Sequence, residues 1–211
     1  MTNQTVRKKH LILIGAGGHT KSCIDVIEML DSFKIAGIVG LPNEVGTKIY
    51  DYEVIGSDID LVKLSGLYSH ALITVGQIKT PSIRIRLYEE AIAAGFEMAT
   101  VIASSAYVSK RAKIGQGTFV SHGAIVNSNV NIGVNCIINS NSLIEHDTQI
   151  GSHCHIATGA IINGNSSIGM GSFIGSGAIL KEGISVGDNS IVGIGQTIRR
   201  NLQSFSEEVS Y

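Results

Sequence analysis

The stretch SLIEHDTQIGSHCHIATGAIINGN, residues 142–165, gathers His146, His153 and His155 with the carboxylates Glu145 and Asp147. Histidine is the side chain whose ordinary pKa lies nearest neutrality, so a histidine flanked by acids is suited to taking up and releasing protons. A carboxylate beside it favours the imidazolium and orients the ring. The same residues admit two other readings, a metal site and the exposed rungs of a repetitive scaffold. Metal is the weaker, because His153 and His155 flank an inward Cys154 and offer only two ligands on a flat wall, a poor set for zinc. His122 reads as a solvated rung. Cys136 and Cys154 fall at inward positions of the repeat described next, which suits core residues better than nucleophiles.

The elements that hold these side chains are set by an internal repeat. Stepping by six from Val108 to Ile198 meets Val, Ile or Leu at every step. Two residues before each stands a mostly small residue, among them Ala124, Cys136, Ser142, Thr148, Cys154 and Ala160. A slower period overlies this one: Gly115, Gly133, Gly151, Gly169 and Gly187 recur every 18 residues, each after an Ile or Val. A period of six inside one of 18 predicts three short strands per coil. Side chains two apart in a strand share a side, so the small and the branched residue fill the inside while their neighbours face out. The glycines are expected at one corner of the coil, in a backbone conformation that other residues avoid. The spacing predicts a parallel β-solenoid of about five coils, with no long loop between residues 108 and 198. At roughly 3.3 Å per residue, a face of the coil spans some 15–20 Å. His146 and His155 should therefore sit on different faces of one chain and meet only if a neighbouring chain supplies one of them.

Residues 10–100 read differently. HLILIG is a buried strand, followed by AGGHT and the helical segment KSCIDVIEMLDSF. IAGIVG, YEVIG and HALITVG are further strands. SDIDLVKL reads as a helix capped by Ser57, and PSIRIRLYEEAIAAG as a helix with Pro81 at its start and Gly95 at its end. Strand–helix alternation predicts a small parallel α/β sheet of Rossmann type. GAGGHT places glycines and free backbone N–H groups at a helix N-terminus, a cradle for phosphate. It is not a full dinucleotide fingerprint, because Thr20 occupies the third glycine position. Gly40 and Leu41 end the second strand where a ribose-binding carboxylate would stand, which favours a nucleotide diphosphate over NAD. The expected organisation is a Rossmann-like domain over 1–100, a β-helix over 101–200 and a tail over 201–211.

Composition removes several function classes. The formal charge is −1 and charged residues make up 16% of the chain, so no basic surface argues for nucleic acid or an anionic membrane. No apolar run approaches the roughly 18 residues of a membrane span. The apolar stretch after Lys9 is about five residues and runs into glycines, too short for a signal-peptide core. Three cysteines, an odd count, do not suggest a disulfide framework. The expectation is a soluble, cytoplasmic protein.

A GxGGH α/β domain fused to a hexapeptide repeat carrying IEHD resembles one family: bacterial sugar acetyltransferases that N-acetylate nucleotide-linked 4-amino-4,6-dideoxyhexoses, with relatives that O-acetylate sialic acid. The resemblance covers almost the whole chain and implies that the solenoid is a left-handed β-helix. It implies acetyl-CoA as co-substrate, no metal, and a homotrimer with active sites between chains. It places the catalytic histidine on His146 and its acidic partner on Asp147, with Glu145 the weaker option, since either carboxylate is able to reach the ring at a corner. Acetyl-CoA contacts fall on His155, Gly175, Ser176 and Ile194, and nucleotide-sugar contacts on Gly17, Gly18, His19, Gly76 and Asn139. Relatives usually carry an Asp pair where Gly40-Leu41 stand, and often a GxPA-like end where this chain has RRNLQSFSEEVSY. The function implied is direct acetyl transfer to an amino-sugar nucleotide with His146 as general base. Alternatives are O-acetylation of sialic acid or a related nonulosonic acid, which GQIKTPSIR followed by SLIEHD also resembles, and a non-catalytic trimeric scaffold.

Overall fold

A computed structural model of the chain describes residues 8–209. These form two compact units. One runs to Gly76 and resumes over Arg86–Ala99; the other comprises Gln77–Ile85 and continues from Thr100.

The first unit is an α/β sheet with strands β1 (Lys9–Ile14), β2 (Phe33–Gly40), β3 (Lys48–Ile49), β4 (Tyr52–Ser57), β5 (His70–Ile73) and β6 (Glu97–Met98). Their order is β3-β4-β2-β1-β5-β6, parallel except for the β3–β4 hairpin. Helices α1 (Gly18–Glu28) and α2 (Leu61–Ser65) join them, and α3 (Ser82–Ala93) belongs to this unit from Arg86 onward. Leu11, Ile12, Leu13 and Ile14 are buried because β1 pairs on both edges, which is why that strand is continuously apolar. Gly15 is required at its end: φ is +127°, and a Cβ there would lie 2.7 Å from Val75 Cγ2 and 2.8 Å from Val75 N. A short helical turn, Asp58–Asp60, precedes α2, and Ser57 N–H donates to the Asp60 carboxylate at 2.9 Å. Gly95, with φ +102°, ends α3 as Phe96 N–H bonds back to the Ala91 carbonyl.

The second unit is the solenoid. Its first face stacks seven strands, from Val101–Ile102 through Phe119–Val120, Ile137–Ile138 and His155–Ile156 to Glu207–Glu208. The second stacks six, from Tyr107–Val108 through Leu143–Ile144 to Thr197–Ile198, and the third five, from Lys113–Ile114 to Ser185–Val186. Neighbouring strands are parallel and, from Val101 to Ile198, exactly one 18-residue coil apart, as in Phe119↔Ile137↔His155↔Phe173. The inward Val120, Ile138, Ile156, Ile174 and Val192 are fully buried, as are Val126, Ile144, Ile162 and Leu180 on the second face. Small inward residues serve the backbone: Cys136 Sγ donates to Gly151 O at 3.2 Å, Cys154 Sγ to Gly169 O at 3.1 Å, and Ser172 Oγ to Gly187 O at 2.9 Å. Both cysteines are completely buried core residues.

Three expectations need adjustment. The glycines at 115, 133, 151, 169 and 187 do not adopt positive φ. Positive φ recurs instead at every sixth residue from Gly117 to Gly195, three residues after each inward Val, Ile or Leu. The 18-residue glycines answer to close approach: a Cβ on Gly133 would lie 2.5 Å from Ser152 N, and one on Gly115 2.5 Å from Gly133 C. Residues 201–209 do not form a separate tail, since Glu207–Glu208 pairs with Ile191–Val192 and extends the first face. Residues 77–85 cluster with the solenoid, not with the α/β sheet.

Gly133→Ala drives a methyl group into backbone that has nowhere to retreat, and it is expected to destabilise the solenoid by about 2 kcal/mol. A lower midpoint in denaturant at unchanged m-value is the outcome expected; an unchanged midpoint contradicts the close-approach account.

Candidate active site

His146 stands at the corner between the second and third faces, directly after the strand Leu143–Ile144. Its side chain is 64% exposed, and Nδ1 lies 2.8 Å from Asp147 Oδ2. Asp147 adopts φ +63°, one of the left-handed corner positions. Between residues 117 and 195 every other such position is Gly or Asn, apart from His153. Asn129, one coil earlier, donates Nδ2 to Asp147 Oδ1 at 2.7 Å. That amide first, and His146 second, hold the Asp147 carboxyl below its usual range, so it is ionised and can only accept. Nδ1–H of His146 is therefore the donor to Asp147 Oδ2. Glu145 is engaged elsewhere, accepting Asn127 Nδ2 at 3.0 Å.

Around the ring opens a groove of about 550 Å³ lined by Glu145, His146, Asn163, Gly164, Asn165 and Glu182. Gly164 is flush with the ring: a Cβ there would come 2.9 Å from both Cε1 and Nε2 of His146. Sequence reasoning missed Gly164 and Asn129, because each lies one coil from His146 and only the 18-residue stacking brings them to it.

The other solenoid residues singled out by sequence gather on the first face and its far corner. His155 lies on the first face, nine-tenths buried, with Nδ1 2.6 Å from the Gln77 carbonyl and Nε2 3.3 Å from Asn139 Nδ2. Ser176 and Ile194 are exposed at the corner between the first and second faces, with Gly175 buried beside them. The His146 dyad and this group thus occupy different corners of one chain. His153 and His155 do not converge: His153 Nδ1 meets Asn135 Nδ2 at 3.0 Å, in a cluster with buried Arg84, whose guanidinium donates to Asn135 Oδ1 at 2.7 Å. Among the described residues no three His, Cys, Asp or Glu side chains gather to hold a metal ion. No helix among them is long and apolar enough to cross a membrane.

In the α/β unit, Gly17 and Gly18 are exposed at the start of α1, with His19 half-buried beside them, and a Cβ on Gly76 would lie 3.7 Å from His19 Cβ. Unlike Gly15, neither Gly17 nor Gly18 has positive φ, and a Cβ on either would meet nothing within 4 Å. The fold itself does not demand glycine there. A depression of about 400 Å³ opens beside them, lined by Ala16, Lys21, Lys48, Ile49 and Tyr50. The hairpin residues Lys48 and Tyr50 were not foreseen, since the turn that brings them here left no motif.

Comparison with known proteins agrees with this architecture. Residues 10–91 match the PglD N-terminal domain, and residues 166–200 the hexapeptide repeat of succinyl-transferase. The acetyltransferase domain of PglB from Neisseria gonorrhoeae, solved in complex with acetyl coenzyme A, is 31% identical; the match covers 93% of each chain at a TM-score of 0.85. PerB from Caulobacter crescentus, solved with CoA and GDP-perosamine, is 29% identical over 94% of this chain and 92% of that one, with a TM-score of 0.88. No match is found among curated proteins. The chain belongs to the hexapeptide-repeat sugar acetyltransferases, acetyl-CoA-dependent acyltransferases built from an α/β domain and a left-handed parallel β-helix.

Burial lowers the pKa of His155 to about 4, with the Gln77 carbonyl opposing and the Arg84 guanidinium adding to the shift. The unfolded chain takes up this proton near pH 6.5 and the folded chain does not. Stability is therefore full above pH 6.5 and falls as the pH drops toward 4, by roughly 3 kcal/mol at most from this residue. His155→Phe, which repeats the Phe119 and Phe173 of the same ladder, should flatten that pH dependence in denaturation series between pH 7 and 4.5. Equal slopes for the two proteins would contradict a neutral buried His155.

Proposed function

We propose that this protein transfers the acetyl group of acetyl-CoA to the amino group of a nucleotide-linked 4-amino-4,6-dideoxyhexose, with His146 as general base. The observation that carries the reading is the His146–Asp147 dyad, with Nδ1 tethered to the carboxylate and the ring beside an open groove. Nε2 takes a proton from the amine as its nitrogen attacks the thioester carbonyl carbon. The C–S bond breaks, and the CoA thiolate leaves to be protonated. No cysteine takes part and no covalent enzyme intermediate forms. Gly17, Gly18, His19 and Gly76 receive the nucleotide sugar in this reading. It is supported by two glycines that the fold does not require and by the GDP-perosamine bound to PerB.

The same proposal includes a homotrimer with active sites between chains, in which Asn139, His155, Gly175, Ser176 and Ile194 of one copy face the His146 corner of the next. Support comes from the second face. Five of the six rungs of its outward ladder are apolar, Tyr107, Ile125, Leu143, Ile161 and Ile179 in register before Thr197, with Tyr107 58% and Ile125 39% exposed. The outward ladder of the third face is Lys113, Asn131, Gln149, Ser167 and Ser185. An apolar stripe leading to the His146 corner suits burial against another copy.

Thiol release from acetyl-CoA tests the chemistry with UDP- and GDP-linked 4-amino-4,6-dideoxyhexoses and with free and CMP-linked sialic acids. Turnover on an amino-sugar nucleotide that falls at least about 100-fold in His146→Ala is expected. Turnover confined to sialic acids moves the acceptor to a hydroxyl, and undiminished turnover in His146→Ala removes the base. Sedimentation equilibrium should give three times 22.3 kDa for the wild type and one chain for Ile125→Glu. A wild-type mass of one chain contradicts the trimer.

A further inference from the structure

The two carboxylates flanking His146 are each gripped from the coil before. Asn127 Nδ2 holds Glu145 at 3.0 Å, and Asn129 Nδ2 holds Asp147 at 2.7 Å, both across 18 residues. Asp147 has one oxygen on Asn129 and the other on His146 Nδ1. A carboxylate 48% exposed and tied at a single oxygen would rotate freely between the ring and water. The second tie removes that freedom. Asn129 occupies a left-handed corner, φ +61°, where this solenoid otherwise places Gly or Asn nearly throughout. Its backbone alone therefore explains why Asn stands there, but not why the amide is spent on Asp147.

We infer that Asn129 is a positioning residue for the reaction, pinning Asp147 against Nδ1 of His146 so that the imidazole keeps one tautomer with Nε2 ready to accept a proton. The inference rests on the reading of His146 as general base. Asn129 touches no reacting atom; it acts through Asp147, much as the outer partners of an active histidine fix its tautomer and ring angle.

Glycine separates the two explanations, because Asn129→Gly keeps the left-handed corner comfortable and deletes only the amide. Three readouts are taken: melting temperature, steady-state kinetics on the acceptor that turns over, and ¹⁵N chemical shifts of the His146 imidazole, assigned with His146→Ala. Expected for Asn129→Gly are a melting temperature near that of the wild type, unchanged KM for both substrates and kcat lower by about tenfold. The imidazole shifts should move from a single Nδ1–H tautomer toward a mixture. Asn129→Asp, also tolerated at this corner, faces a carboxylate with a carboxylate and should lose more. On an Asp147→Asn background, Asn129→Gly should cost nothing further. Wild-type kcat with an unchanged tautomer overturns the inference, as does a loss confined to KM or one that persists undiminished on the Asp147→Asn background. If His146→Ala proves fully active, the general-base reading has failed instead, and the tautomer shifts alone then decide whether Asn129 orients the ring.

Discussion

A corner of this solenoid is a place where the backbone has positive φ, and that one conformational demand, met every six residues, governs what the surface can carry. A β-branched or bulky side chain is penalised there, while Gly, Asn and Asp are tolerated. The scaffold therefore offers amides and carboxylates at its edges almost as a by-product of turning. Stacking then aligns them: residues 18 apart come within hydrogen-bonding distance, as Asn129 and Asp147 do. Asp147 satisfies the corner and serves His146 at the same time, so no loop has to be built to hold the dyad.

Two histidines nine residues apart show how environment divides roles. His146 projects from a corner into solvent with a carboxylate at Nδ1. His155 lies on a face, nine-tenths buried between the Gln77 carbonyl and the Asn139 amide, and burial keeps it neutral well below physiological pH. Exposure leaves the first open to another molecule, while burial leaves the second to hydrogen bonding without any change of charge.

Glycine is used in the chain for separate reasons. Gly15 is fixed by positive φ and a neighbouring strand, and Gly133 by the coil above it. Gly164 leaves room for the His146 ring, and Gly17 and Gly18 answer to no contact within the chain. Only the first two kinds are explained by folding. The others become intelligible when something outside the backbone, a side chain or a ligand, needs the space.

The six-residue beat was legible because an inward ladder tolerates only branched residues at full burial, and the register it forces placed His146 at a corner and His155 on another face. Strand–helix alternation likewise marked the α/β unit, and the acid beside His146 was in plain view. Tertiary structure decided what depends on stacking distance and local backbone angle. The 18-residue glycines look like turn glycines in a sequence, yet it is the approach of the next coil that requires them. That Asp147 and not Glu145 lies against Nδ1 of His146 shows only in the folded corner, where each carboxylate is also held by an asparagine 18 residues upstream. The cover over His155 comes from Gln77, 78 residues away in the chain. Periodicity records which side of a strand a residue faces. It carries no record of which partner, a coil or half a chain distant, will be waiting there.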